Sequence, residues 1–441
     1  MSATSRVLVV DDSAFMRQII CDLIAGDSQF TIVATANNGR EAIEAVRLHK
    51  PDVITMDLEM PEMNGLDAVE HIMRLNPVPI IMMSSISDDG TRETIKALQN
   101  GAFDFIRKPS GPLSPDIRQV GEYLLEKMRI AVLTKRFSSF YASRQTDLDA
   151  PASGKPRPSA VNGTAKQKPP KQRDSAAGPS VDKMPAEPEV PQTNRRNKQA
   201  TGVTGSTAAA AAKRPAENLN QPLAANPQPV IETAPIPIEP LKRKSKSSKS
   251  FHDLVAIGTS TGGPRALHEV ISSLPEDFPA PVLVVQHMPP KFTASLAQRL
   301  DSFSKLRVTE AEQGERVCAG VVYIAPGGQH LELAKDGEGY YIKLTEDAPR
   351  NGHRPSVDTM FESCAAFPEL SRHAVIMTGM GNDGTQGMLK LNESGGASAI
   401  AETEETCVVY GMPRSAVEAG AAKAVLPLKS IASALTEAVK Q

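Results

Sequence analysis

Between Arg6 and about Tyr141, short aliphatic runs alternate with amphipathic stretches five times over. The runs occupy residues 7–10, 31–36, 53–56, 79–83 and 104–107. Runs of this length, bounded by turn formers, read as strands buried on both faces. Helical spacing lies between them, as in Glu41, Ala42, Ala45 and Val46. Five such β-α units predict a doubly wound parallel sheet. From His252 a second α/β pattern begins, with runs at 254–257, 282–285, 322–324, 374–377 and 398–400 and helical stretches at 291–303 and 385–394. A hairpin is expected where Leu331–Ala334 faces Tyr340–Leu344 around Lys-Asp-Gly-Glu-Gly, and it predicts a mixed rather than parallel second sheet.

No aromatic residue occurs between Tyr141 and Phe251, where Pro, Ala, Ser, Gln, Lys and Arg dominate. Such a stretch buries too little surface to offset its ordering entropy, so it reads as a disordered linker. The domains are therefore expected at 1–141 and 251–441, joined by 142–250, a flexible coil spanning roughly 55 Å. The linker holds 18 basic and 9 acidic residues and ends in Lys242, Arg243, Lys244, Lys246 and Lys249. Without interleaved aromatics this tract reads as solvating, and no nucleic-acid partner is expected.

The formal net charge of −2 hides that uneven distribution. Four cysteines, Cys21, Cys318, Cys364 and Cys407, show no pairing or metal-type spacing, which points to reduced thiols in the cytoplasm. The chain meets Asp11 and Asp12 after only a few apolar residues. No secretory h-region is therefore expected, and no later apolar run approaches the roughly 20 residues of a membrane helix.

In the first pattern, polar groups cluster at the carboxyl ends of the strands: Asp11 and Asp12, then Asp57, Ser84 and Lys108. In parallel strands these ends share one sheet edge, where α/β folds keep their sites. Phosphoryl transfer requires a nucleophilic oxygen, a divalent cation and donors for the remaining oxygens. Asp57 suits the first role. Asp11 and Asp12, with Asp57, suit a hard cation, Mg2+. Ser84 offers a hydroxyl donor and Lys108 a point charge. Pro109 follows directly, where a cis bond is conceivable.

With the Asp-Asp pair, the Asp57–Gly65 stretch, Ser84 and Lys108-Pro109, residues 6–125 resemble the receiver domain of two-component response regulators. The resemblance implies a flavodoxin-like five-stranded fold and a histidine kinase that phosphorylates Asp57. It also implies that Phe105 fills the switch-aromatic position.

In the second pattern, Gly258-Thr-Ser-Thr-Gly262 follows a strand and precedes a helix, the turn that stands a serine hydroxyl clear of the backbone. Alone it is weak, because such a turn also cradles phosphate. Its spacing does not fit a dinucleotide fingerprint. A serine nucleophile needs a base, and the base an orienting carboxylate. Of the eight histidines, His49 and His71 belong to the first domain, His252 precedes a strand and His268 lies within a helix. His287, directly after Val-Leu-Val-Val-Gln, reaches the same edge as Ser260. Asp383, in Gly-Met-Gly-Asn-Asp-Gly, completes the set, with His330 and His353 as reserve bases. The order Ser, His, Asp differs from that of α/β-hydrolases. Gly379 and Gly381 bracket Met380 and leave backbone N–H groups approachable as oxyanion donors.

The chain carries four motifs in order, Gly-Thr-Ser-Thr-Gly-Gly-Pro, Gln-His-Met-Pro, His-Arg-Pro-Ser-Val-Asp and Thr-Gly-Met-Gly-Asn-Asp-Gly, and through them residues 252–440 resemble the catalytic domain of the chemotaxis protein-glutamate methylesterases. The resemblance implies Ser260 as nucleophile, His287 as base and acid, Asp383 as orienter and the Met380 amide as an oxyanion contact. It gives Arg354 a weak substrate role. It further implies methyl-accepting chemoreceptors as substrate, glutamine deamidation at the same positions, and no cofactor for the esterase step. The residues alone reach only a serine acyl hydrolase under phosphorylation control. The rival from another class is a non-enzymatic response regulator whose second domain binds a ligand or scaffolds receptors, with the basic linker touching nucleic acid.

Overall fold

The computed structural model describes residues 4–85, 87–108, 117–134 and 250–439. Pro109 and all but Ser250 of the linker expected at 142–250 lie outside them. The first domain contains β1 (Ser5–Val10), α1 (Ala14–Ala25), β2 (Phe30–Ala36), α2 (Gly39–His49), β3 (Val53–Asp57), α3 (Gly65–Leu75), β4 (Ile80–Ser84), α4 (Asp88–Gln99), β5 (Asp104–Arg107) and α5 (Ile117–Leu133). Its strands run in the order β2-β1-β3-β4-β5 and every pairing is parallel. Val7, Leu8, Val9 and Val10 are wholly buried, each contributing about 1.5–3 kcal/mol of apolar transfer. Polar caps start the helices. Asn38 Oδ1 accepts the Glu41 N–H at 2.8 Å, and Asn64 Oδ1 the Asp67 N–H at 2.8 Å, each cap being worth about 1 kcal/mol.

The second domain runs β6 (Asp253–Thr259), α6 (Gly263–Ser273), β7 (Val282–Gln286), α7 (Phe292–Asp301), β8 (Arg307–Glu310), β9 (Val321–Ile324), β10 (His330–Asp336), β11 (Gly339–Thr345), α8 (Val357–Ala365), β12 (Ser371–Ile376), α9 (Thr385–Glu393), β13 (Ser398–Glu402), α10 (Met412–Glu418), β14 (Ala424–Leu426) and α11 (Leu428–Ala438). Seven of its nine strands form the main sheet, in the order β14-β13-β12-β6-β7-β9-β8. All pairings are parallel, which corrects the expectation of a mixed sheet. The expected hairpin exists as β10–β11 but forms a separate antiparallel sheet. Its outward backbone groups are satisfied elsewhere: Leu333 N–H donates to Ser363 Oγ at 2.9 Å, and Ile342 N–H to Glu315 O at 2.8 Å. β8 and β14 were not among the strands read from the sequence: β8, at one edge of the sheet, buries only Val308, and β14, at the other, is three residues long.

Each sheet has a point where the strand order reverses, and α/β folds place their ligands in the crevice that opens there. In the first domain the reversal falls between β1 and β3, which carry Asp11 and Asp57 at their ends. In the second it falls between β6 and β12, which lead into Ser260 and into the loop from Thr378 to Asp383.

Candidate active site and phosphoacceptor pocket

Three carboxylates meet at the first switch point, with oxygen atoms of Asp11, Asp12 and Asp57 all within 4.8 Å of one another. Asp11 and Asp57 are buried, Asp12 exposed. An all-oxygen donor set open on one side fits Mg2+, which keeps several waters. The Lys108 ammonium bridges two of them, 2.6 Å from Asp57 Oδ2 and 2.9 Å from Asp11 Oδ2. Burial pushes the Asp57 carboxyl up to about 6 although Lys108 pulls it down. Burial also pulls Lys108 down, but the two carboxylates outweigh it and hold its pKa above the ordinary value. Ser84 sits at the same edge, yet its hydroxyl is engaged with Thr94 Oγ1 at 2.6 Å and Ser85 O at 3.0 Å.

In the second domain, the Ser260 turn is set by its neighbours' backbone. Ser260 N–H donates to Thr378 O at 3.0 Å and Gly263 N–H to Ser260 O at 2.8 Å. Gly262 has φ +81°, and a Cβ there would lie 2.6 Å from the Val408 side chain, so the turn requires glycine. β6 and β7 pair through Thr259 and Gln286. Ser260 and His287 therefore leave adjacent parallel strands side by side. Gln286, 2 % exposed, locks that exit: its amide nitrogen donates to Ser260 O at 3.0 Å and its oxygen accepts from Thr259 Oγ1 at 2.8 Å.

The His287 imidazole Nε2 lies 2.8 Å from Asp383 Oδ2, with the two side chains only 5 % and 1 % exposed. His287 Nδ1 is buried without a partner. A carboxylate accepting from Nε2–H leaves Nδ1 as the basic nitrogen. The Ser260 hydroxyl itself makes no hydrogen bond among the described residues.

Asp383 is held from several directions. Its Oδ1 accepts from Asn351 Nδ2 at 2.8 Å, Ser356 Oγ at 2.8 Å and Asp358 N–H at 3.3 Å, and its Oδ2 from Val357 N–H at 2.7 Å. Ser356 is also the N-cap of α8, accepting from Thr359 N–H at 3.3 Å. The carboxylate thus sits at a helix N-terminus, where unpaired N–H groups and the helix dipole favour negative charge. Burial alone would raise its pKa, but these donors and His287 outweigh that and hold the carboxyl well below the usual range.

The loop after β12 is fastened at Gly379, whose N–H donates to Val409 O at 3.0 Å and whose carbonyl accepts from Gly411 and Met412 N–H at 3.1 and 2.8 Å. A Cβ on Gly379 would lie 2.8 Å from Ser260 Cβ, so glycine lets this loop reach the serine. The next N–H, that of Met380, donates to no acceptor among the described residues, which leaves it available for an oxyanion.

Several residues missed or set aside in the sequence enter here. His353 lies flat on His287, with ring centroids 3.7 Å apart and planes 10° apart. Asn351, Ser356 and Gln286 were not singled out, although the last two lie within motifs that carried the resemblance. His330 is no base: its Nδ1 accepts Ser356 N–H at 3.2 Å and its Nε2 faces Ala348 O at 3.2 Å. Arg354 pins its loop by donating to the carbonyls of Glu346 and Asp347 at 2.7 and 3.0 Å.

The first domain touches the second close to this site. Thr261, next to Ser260, donates its hydroxyl to Asp104 Oδ2 at 2.5 Å, and the same carboxylate pairs with Lys127 of α5. Phe105 stacks on Phe292 with centroids 4.5 Å apart. Thr91 meets Ser295 at 2.8 Å, and Arg299 Nε donates to Gln99 Oε1 at 2.8 Å.

Fold and site together define a response-regulator receiver domain joined to a parallel α/β hydrolase domain. The CheB methylesterase family matches residues 255–435, and the response regulator receiver domain family matches 7–114. A protein-glutamate methylesterase/protein-glutamine glutaminase of Geobacillus kaustophilus is 41% identical over 99% of both chains. The protein of that name from Bacillus subtilis is 38% identical, again over 99% of both. The crystal structure of the Thermotoga maritima CheB methylesterase catalytic domain is 50% identical, covers 43% of this chain and 99% of that one, and has a TM-score of 0.41. This chain belongs to the CheB family of protein-glutamate methylesterases/protein-glutamine glutaminases. Among the described residues no helix is long and apolar enough to cross a membrane.

Proposed function

We propose that this protein removes methyl groups from glutamyl esters on methyl-accepting chemoreceptors, and deamidates glutamines there, through an acyl-enzyme on Ser260. The observation that carries the reading is the buried His287–Asp383 pair beside the Ser260 turn. His287 Nδ1 takes the hydroxyl proton as Ser260 Oγ attacks the ester carbonyl carbon. The oxyanion accepts a hydrogen bond from Met380 N–H. Asp383 balances the imidazolium charge and keeps the proton on Nε2. The carbon–methoxy bond then breaks as His287 returns the proton, and methanol leaves. Water attacks the acyl-serine by the same route in reverse, freeing the glutamate carboxylate. With glutamine the leaving group is ammonia. No cofactor takes part in these steps.

The test is methanol release from methyl-labelled receptor by the full chain. Release above the receptor-only rate supports the hydrolase; receptor binding without release would favour the non-enzymatic regulator.

Control by phosphate follows from the first domain. Asp57 is the acceptor, Asp11, Asp12 and Asp57 would hold Mg2+, and a histidine kinase is the donor. Mg2+, when bound, neutralises charge on the phosphoryl oxygens. Asp57→Asn removes the nucleophilic carboxylate, so labelling by an acyl phosphate in Mg2+ is expected to vanish; labelling that persisted would place the acceptor elsewhere.

The contacts of Asp104 and Phe105 support an inhibitory role for the unphosphorylated receiver, since both precede Lys108 on one strand and one of them grips the residue after Ser260. Phosphate on Asp57 shifts the receiver's population and releases this grip. The stack and the neutral hydrogen bonds are worth only about 1 kcal/mol apiece, and the bond to the Asp104 carboxylate about 1.5–3 kcal/mol. The expected 142–250 tether dilutes the receiver further, because effective concentration falls as roughly the −3/2 power of tether length. Fragment 250–441 is therefore expected to hydrolyse faster than the unphosphorylated full chain, and a chain lacking 142–250 more slowly. Equal rates for all three would end the docking account.

A further inference from the structure

We propose that His353 is a positioning residue for the general base: its ring, laid flat against His287, holds that imidazole in the one orientation that keeps Nε2 on Asp383 and Nδ1 open to the serine proton. This rests on the Ser260–His287–Asp383 reading given above.

His287 makes a single side-chain hydrogen bond, to Asp383. The Cβ attachment and this one bond fix two points of the ring, not its plane, so the ring can still pivot about the line that joins them. A general base tolerates little of that motion, because a misplacement of about 1 Å costs about 100-fold in rate. The face of His353, 3.7 Å away and 10° from parallel, removes the pivot.

His353 is itself built into place. Its N–H and carbonyl exchange hydrogen bonds with Arg350 at 2.9 and 3.0 Å, closing a turn in which Asn351 has φ +53°. From that turn Asn351 Nδ2 reaches both Asp383 and Asp358 at 2.8 Å, and the Arg350 guanidinium meets Glu362 of α8 at 2.6 Å. One short segment thus grips the carboxylate with Asn351 and the imidazole with His353.

Neither ring nitrogen of His353 has a hydrogen-bond partner among the described residues. The contact is made by the flat face, and no carboxylate orients this ring as a second base. Burial, reinforced by His287 itself, pushes its pKa down to about 4. When His287 takes the serine proton, His353 remains a neutral π face beside a cation, an attractive pairing.

The experiment measures kcat and KM for methanol release by the full chain, phosphorylated with an acyl phosphate in Mg2+. Wild type is compared with His353→Phe, His353→Leu and Ser260→Ala. Leucine fills the space without a flat face, and its kcat is expected to fall about 10- to 100-fold with KM within about twofold. Phenylalanine keeps the face without titratable nitrogen and is expected to stay within about threefold of wild-type kcat. Thermal unfolding checks that both variants fold. Wild-type kcat in the leucine variant would overturn the proposal. So would equal losses in both variants, which would make the nitrogens the active feature, or a change in KM alone, which would make His353 a substrate contact. If Ser260→Ala is inert while His353→Leu is unimpaired, the positioning role fails and the triad stands. If Ser260→Ala is fully active, both fail together.

Discussion

Ser260→Ala is expected to reduce methanol release from labelled receptor by at least about a thousandfold while leaving receptor binding and thermal stability unchanged. The reaction needs an oxygen that becomes covalently bound to the substrate carbonyl, and alanine offers none. Loss of the nucleophile in other serine hydrolases removes all but the residual catalysis supplied by binding and oxyanion contacts. The fold is indifferent to the change because the Ser260 hydroxyl has no hydrogen-bond partner among the described residues. Its backbone, which fastens the turn through Thr378, Gly263 and Gln286, is retained. A variant that released methanol at a tenth of the wild-type rate or faster would move the chemistry to another residue.

Asp383→Asn is expected to lower kcat by about 10,000-fold, as the loss of the buried carboxylate does in related triads. Unlike the serine variant, it should also destabilise the fold by about 1–3 kcal/mol. Five groups donate to this carboxylate: His287 Nε2, Asn351 Nδ2, Ser356 Oγ and the N–H groups of Val357 and Asp358. An amide accepts at one end only and turns its NH2 towards donors at the other. It also loses the charge that fixes the Nε2–H tautomer and balances the imidazolium. Since the Asp383 carboxyl is held well below its ordinary value, its ionised form contributes stability at every pH above about 4, and that contribution fades only in stronger acid. The wild type and the asparagine variant should therefore differ most in melting temperature near neutrality and converge in acid. A variant retaining wild-type kcat would remove Asp383 from the mechanism.

Much of this was legible in one dimension. Val7–Val10 and Val282–Val285 are continuous apolar runs, and in a parallel sheet such runs mean burial on both faces. The polar residue that follows each run must then emerge at the carboxyl edge, which is why Asp57, Ser260 and His287 stood out. The hairpin was legible too, from Lys-Asp-Gly-Glu-Gly, but not its separation from the main sheet. That separation depends on Ser363 and Glu315, far off in sequence, satisfying its outer backbone groups. β8 was hard to see because an edge strand has one paired neighbour and here buries only Val308, and β14 because three residues are too short to tell a strand from a loop.

His353 shows the boundary most clearly. In the sequence it opens the His-Arg-Pro-Ser-Val-Asp motif, yet it stands there only as one of two reserve bases, with no role that differs from that of His330. In the folded chain His330 is tied at both nitrogens, and His353 lies on the imidazole of His287. The Arg350–His353 turn is marked locally by Asn351-Gly352, but the docking of Asn351 on Asp383, which aims the turn at the site, has no local signal.

The sequence by itself determined that two α/β domains would form and which polar residues would emerge at their strand ends, because strand burial and side-chain alternation are local properties of the chain. Only the tertiary structure decided which nitrogen of His287 faces the carboxylate, that α8 offers its N-terminus to Asp383, and that Asp104 grips Thr261. These depend on the packing of segments separated by as many as 157 residues, and hydrogen bonds and ring stacking act only over a few ångströms.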